Sequence, residues 1–117
     1  MFVYYINVPL NIKGMREFEA YEDEMPNVKT FELTQEEYEY LRKTQGLFSE
    51  FDEKFGTIID VCEEERISFD DLPEALCIAK EHLKKSKTGK CAIEKVIESL
   101  ECAIESRSFW EIDIYLD

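Results

Sequence analysis

Residues 68–117 carry the pattern that most restricts how this chain folds: two amphipathic helical stretches separated by a few residues, then an alternating strand. At 100° per residue, Leu72, Ala75, Leu76, Ala79 and Leu83 share one helix face, with Ile78 and His82 at its margin. Asp71 and Glu74 have capping-box spacing, which puts Pro73 in the first turn, where its missing N–H does no harm. Ser68 is a rival cap that would push Pro73 deeper into the helix. Lys84, Lys85 and Lys87 suit the negative end of the helix dipole, and Thr88 and Gly89 make the turn. A second helix over residues 90–106 presents Ala92, Ile93, Val96, Ile97, Leu100, Ala103 and Ile104 on one face. Two such helices joined so closely form an antiparallel hairpin. Residues 109–116 then alternate: Trp110, Ile112, Ile114 and Leu116 are expected inward, Glu111 and Asp113 outward in water.

The hairpin needs an apolar surface to cover, and the closing strand needs an apolar cover. Residues 2–8 supply the missing partner. They are β-branched and aromatic, apolar on both faces apart from Asn7, and Pro9 stops the ladder. Between these ends the pattern is weaker. Met15, Phe18, Tyr21 and Met25 permit a short acidic helix, but a mobile acidic connection through Glu22, Asp23 and Glu24 is equally open. Residues 28–33 read as a short strand. Thr34 and Glu37 form a capping box, and Tyr38 and Leu41 continue its helix. Gly46 breaks or kinks it, and Leu47, Phe48, Phe51 and Phe55 run to a stop at Gly56, as one bent helix or two. Residues 57–62 are expected as a strand, although Phe55, Ile58, Ile59 and Cys62 also fit a helical face; Glu63, Glu64 and Glu65 are expected in solvent. The class that follows is α+β in a single domain, residues 1–117: a small sheet including both terminal strands, packed against an antiparallel helical hairpin plus one or two shorter helices.

Charge then separates the chain functionally. The formal net charge is -13, and residues 15–71 hold 18 carboxylates against six cations, whereas the remainder holds nine against eight. Such a surface repels nucleic acid and anionic membrane and favours a basic protein partner. Tyr21, Tyr38 and Tyr40 lie among these carboxylates as aromatic anchors. The expected contact set is Tyr21, Glu22, Asp23, Glu24, Tyr38, Tyr40, Asp60, Glu63, Glu64 and Glu65. The composition resembles that of small acidic inhibitors, such as immunity proteins that neutralise nuclease toxins, though no motif carries the likeness. The bland alternative is that an acidic surface simply keeps a protein soluble.

Catalytic chemistry finds little support. His82 is the only histidine and sits at the edge of an apolar face, where a structural role fits best. Cys62, Cys77, Cys91 and Cys102 form no C-x-x-C pair, so free thiols in a reducing, cytoplasmic setting are expected, with neither metal nor cofactor. Cys91, beside Lys90 near a helix start, is the one thiol placed for reactivity. Asp60, Glu63, Glu64, Glu65, Asp70 and Asp71 could gather round a divalent ion, but they lack an EF-hand spacing and its glycine. The leading expectation is therefore a non-enzymatic, acidic protein-binding domain, monomeric or homodimeric. A metal-assisted hydrolase built on the carboxylates of residues 60–71 and a structural, oligomer-forming subunit are the alternatives. No secretory leader or membrane span is expected.

Overall fold

The computed structural model describes all 117 residues. Strand β1 (Phe2–Pro9) is followed by helix α1 (Ile12–Glu19), β2 (Val28–Leu33), α2 (Gln35–Arg42), α3 (Leu47–Phe55), β3 (Glu64–Ile67), α4 (Leu72–Lys85), α5 (Lys90–Glu105) and β4 (Trp110–Leu116). The four strands form one antiparallel sheet in the order β2-β1-β4-β3, so the two chain ends lie side by side at its centre. The class is α+β, with the α4–α5 hairpin and two shorter helices, α2 and α3, against one sheet face.

The inner face of the sheet makes the core. Tyr4, Ile6, Val8, Phe31, Leu33, Ile67, Trp110, Ile112 and Ile114 are buried against the apolar stripes of α2–α5. Each large side chain enclosed in this way contributes about 1.5–3 kcal/mol. Trp110 is the centrepiece: its ring meets Phe48 and Phe51 edge-on at 6.3 and 6.0 Å. Its indole N–H donates to Ser99 Oγ at 2.8 Å, and Ser99 in turn donates to Val96 O. Both polar groups are thereby satisfied inside the core, where an unpaired one would be costly.

Local chemistry explains most boundaries. Thr34 and Glu37 form the expected capping box. Lys43–Gly46 separates α2 from α3, so the bent-or-broken question resolves as two helices, the second closing on Gly56 at φ 70°. Residues 12–19 are helical because extended Asn11 caps them, accepting from Gly14 N at 2.8 Å. Gly14 is required there: a Cβ would lie 2.1 Å from Asn27 O.

Four expectations need correction. Asp71 makes no side-chain cap to α4; a 3₁₀ turn, Phe69–Asp71, leads into the helix, with Leu72 and Pro73 at its start. Residues 57–62 are not a strand, because side chains take their backbone donors before a ladder can: Asp52 accepts from Ile59 N and Thr57 Oγ1, and Glu65 accepts from Ile58 N. Glu63 and Glu64 are exposed as expected and Glu65 is half-buried, while the backbone here joins the sheet: Glu64 begins edge strand β3 and Ile114 N donates to Glu63 O. Leu116 is 65% exposed although it pairs with Phe2, because it lies at the end of β4. Finally, Glu111 and Asp113 do not face open water. Glu111 is 7% exposed and Asp113 half-buried, because α1 and the loop after it partly cover the outer face of the sheet.

Candidate functional site

The outer face is built from two cross-strand rows. Thr30, Asn7, Glu111 and Arg66 stand opposite one another across β2, β1, β4 and β3; Glu32, Tyr5, Asp113 and Glu64 form the next row. Side chains directly opposite approach to about 4.5–5.5 Å at Cβ, and like charges so placed destabilise a sheet. Glu64 opposite Asp113 is such a pair. Hydrogen bonds link the polar groups within and between the two rows. Thr30 Oγ1 donates to Asn7 Oδ1 at 2.6 Å, and Asn7 Nδ2 donates to Asp113 Oδ2 at 2.7 Å. Arg66 closes the far end: its Nε and Nη2 each lie 3.0 Å from Glu111 Oε1, and its Nη1 lies 3.0 Å from Glu19 Oε1. Its guanidinium stacks over the Phe109 ring at 3.7 Å.

Helix α1 and its following loop turn this face into a cleft of about 610 Å³. Phe18 packs edge-on against Phe109 at 5.8 Å, and Tyr21 and Glu22 project from the loop. The loop is anchored by buried Glu17, whose carboxylate accepts from Asn27 N and Nδ2 at 3.1 and 3.0 Å. Tyr21 itself adopts φ 53°, uncommon without glycine, and its ring is 80% exposed. Tyr5 and Tyr115 contact one another edge-on at 5.9 Å beside Asp113.

The electrostatics of the cleft are lopsided. Glu19, Glu22, Glu64, Glu111 and Asp113 line it, and Arg66 is its one cation. Burial, then the hydrogen bond and charge of Asp113, push the Glu111 carboxyl up to about 8, outweighing the opposite pull of Arg66. With Glu111 ionised, the enclosed Asp113 Oδ1 has no donor. Burial and the neighbouring Asp113 thus favour the protonated form of Glu111 at neutral pH. Burial also raises Tyr115, with help from Tyr5, Asp117 and Asp113. Glu64, Glu111 and Asp113 each bring one oxygen within 4.8 Å of the others, the only such group of potential metal ligands in the chain.

The expected contact residues scatter. Tyr21, Glu22 and Glu64 line the cleft; Asp23 and Glu24 are exposed on the neighbouring loop. Tyr38 belongs to the core: it is 5% exposed, stacks on Tyr4 at 4.5 Å, and has its hydroxyl pushed up to about 12 by burial and Asp60. Tyr40 ties α2 to the hairpin turn by donating to Thr88 O at 2.6 Å. Asp60 sits 3.8 Å from Arg42, Glu63 is exposed, and Glu65 caps Ile58 N. The carboxylates of residues 60–71 therefore do not converge; only Glu64 joins a cluster, and its partners come from β4.

The residues not anticipated are Tyr5, Asn7, Thr30, Arg66, Glu111, Asp113 and Tyr115. The available signal was Asn7, a lone amide in an otherwise apolar strand, and two acids inside the closing strand. A second cavity, about 710 Å³, opens between α3, α4 and the hairpin turn, where His82 Nε2 meets Glu50 Oε1 at 2.7 Å. Its charges balance, with Lys43, Lys85 and Lys87 set against Glu50, Glu74 and Glu81. All four cysteines are unpaired, and no helix is long and apolar enough to cross a membrane. No protein-family model, curated protein or solved structure matches the chain, so its function must be argued from these residues.

Proposed function

We propose that this chain is a non-enzymatic, acidic binding domain of the inhibitor or immunity type, which seats a basic protein against the outer face of its sheet. The observation that carries this reading is the cleft itself: five carboxylates, one cation and the rings of Tyr5, Tyr21 and Tyr115. Carboxylates concentrated in this way speed the encounter with a cationic surface and fix its orientation. Tyrosines supply rigid contact area at small entropic cost. Unpaired thiols fit a reducing, cytoplasmic setting.

The test is a calorimetric titration with the basic nuclease or toxin encoded beside it, at 50 mM and 500 mM NaCl. Affinity should weaken at least tenfold at high salt, and Glu64→Lys should weaken it further at low salt. Absent or salt-independent binding refutes the reading.

One observation favours a second reading, a metal-assisted hydrolase: the convergence of Glu64, Glu111 and Asp113. The guanidinium of Arg66, 3.0 Å from Glu111, disfavours a divalent ion there. A thermal-shift titration with Mg²⁺, Ca²⁺ and Mn²⁺ separates the two, since a resident ion stabilises by mass action. The proposed reading expects no shift at 1 mM ion.

A further inference from the structure

The cleft already contains one guanidinium, and its surroundings describe what the remainder is built to hold. Arg66 lies flat on Phe109 between the carboxylates of Glu19 and Glu111. A planar cation on an aromatic face between carboxylates is the preferred environment of arginine. One row further along the sheet the same parts recur. Glu64 and Asp113 face each other, and the Tyr5–Tyr115 pair stands beside them. That half has no cation. Two like charges held opposite one another weaken the sheet unless something positive joins them. The deepest carboxyl, Glu111, is more than nine-tenths buried at the floor between the two halves.

Resting on the basic-partner reading above, we propose that the second half of the cleft receives the guanidinium of an arginine side chain on the partner. The guanidinium N–H groups meet Glu64 and the β4 carboxylates while its plane rests on the tyrosine rings. Lysine, a point charge without a plane, uses the carboxylates but not the rings. The groups that set the field at Glu111 are Arg66 and Glu64 from β3, Asp113 and Tyr115 from β4, Tyr5 from β1, Glu19 from α1, and Tyr21 and Glu22 from its loop. Of these Arg66 alone is positive, and it is already held by Glu19 and Glu111, so the second half of the cleft has carboxylates without a counter-charge.

The experiment uses the intact protein and three capped pentapeptides, Gly-Gly-X-Gly-Gly with arginine, lysine or citrulline at X, followed by NMR. The arginine peptide should shift the Tyr5 and Tyr115 ring signals and the Glu64 and Asp113 amides. The lysine peptide should bind at least fivefold more weakly, and the isosteric, neutral citrulline peptide should leave these signals unmoved. Asp113→Asn should remove arginine binding. Equal binding of arginine and citrulline, or equal binding of arginine and lysine, overturns the proposal. So does 1 mM Ca²⁺ if it reproduces the arginine shifts. If the arginine peptide fails while the basic protein still binds with salt dependence, the arginine site falls and the basic-partner reading stands. If both fail, both readings fall.

Discussion

The two faces of strand β4 differ more sharply than any two elements of the fold. Trp110, Ile112 and Ile114 point inward, each at most 2% exposed, into a core whose polar groups are paired. Glu111, Asp113 and Tyr115 alternate with them and point outward, where carboxylates crowd one another and burial pushes the Glu111 carboxyl up to about 8. Seven residues thus serve two opposed physical purposes. The inner face lowers the free energy of the fold. The outer face holds a charge distribution that the fold alone would not favour, which is how strain concentrated at functional sites is recognised. Substitutions should therefore sort by face: inner ones cost stability, outer ones cost binding.

The largest expected effect is on the inner side. Trp110→Ala should cost about 3–5 kcal/mol in urea denaturation, enough to leave the domain marginal. Ser99→Ala, which strands the Trp110 indole N–H in the core, should cost about 1–3 kcal/mol by the same measurement. Loss of either amount from an outer residue such as Tyr115, 47% exposed, would break the comparison.

The next effect is the pH dependence of stability. The folded-state pKa of Glu111 is raised above its unfolded value, so its stabilising contribution is complete below about 4.5 and is lost as pH rises through about 8. Wild type should lose stability relative to Glu111→Gln across that window. Taking the difference between the two proteins cancels other groups, such as Glu37. There the pull of Lys95 and Thr34 outweighs burial and lowers the pKa, so its contribution fades at acid pH instead. Parallel curves for the two proteins would show that Glu111 titrates as an ordinary carboxylate. The smallest of the scaffold effects is the cap: Thr34→Ala should cost about 1 kcal/mol, read from the urea midpoint.

What was legible in the sequence follows the same division. The inner face could be read because burial imposes period 2 on strands and 3.6 on helices, and Ala92, Val96, Leu100 and Trp110 obey it. The α4–α5 hairpin and the presence of both terminal strands in one sheet followed from those periods. The outer face could not be read. Glu111 and Asp113 carry the alternation of a solvated strand, and nothing local reveals that α1 and Tyr21 fold over them. Edge strand β3 is only four residues long and begins in a run of glutamates, so its pairing with β4 depends on long-range register rather than propensity. The excess charge of residues 15–71 pointed to Tyr21, Glu22 and Glu64, yet charge counting alone cannot distinguish them from Glu65, which merely caps a loop, or Tyr38, which fills the core.

Asp113→Asn tests the division between the faces most directly, because it removes one of two opposed carboxylates without changing the shape of the strand. Stability and affinity for the basic partner should be measured on the same preparation at pH 8. The substitution should leave unfolding free energy unchanged or raise it by up to about 1 kcal/mol, by relieving the pair with Glu64, while affinity falls at least tenfold. Loss of stability with binding intact would contradict the account, because it would make the carboxylates of the outer face part of the scaffold.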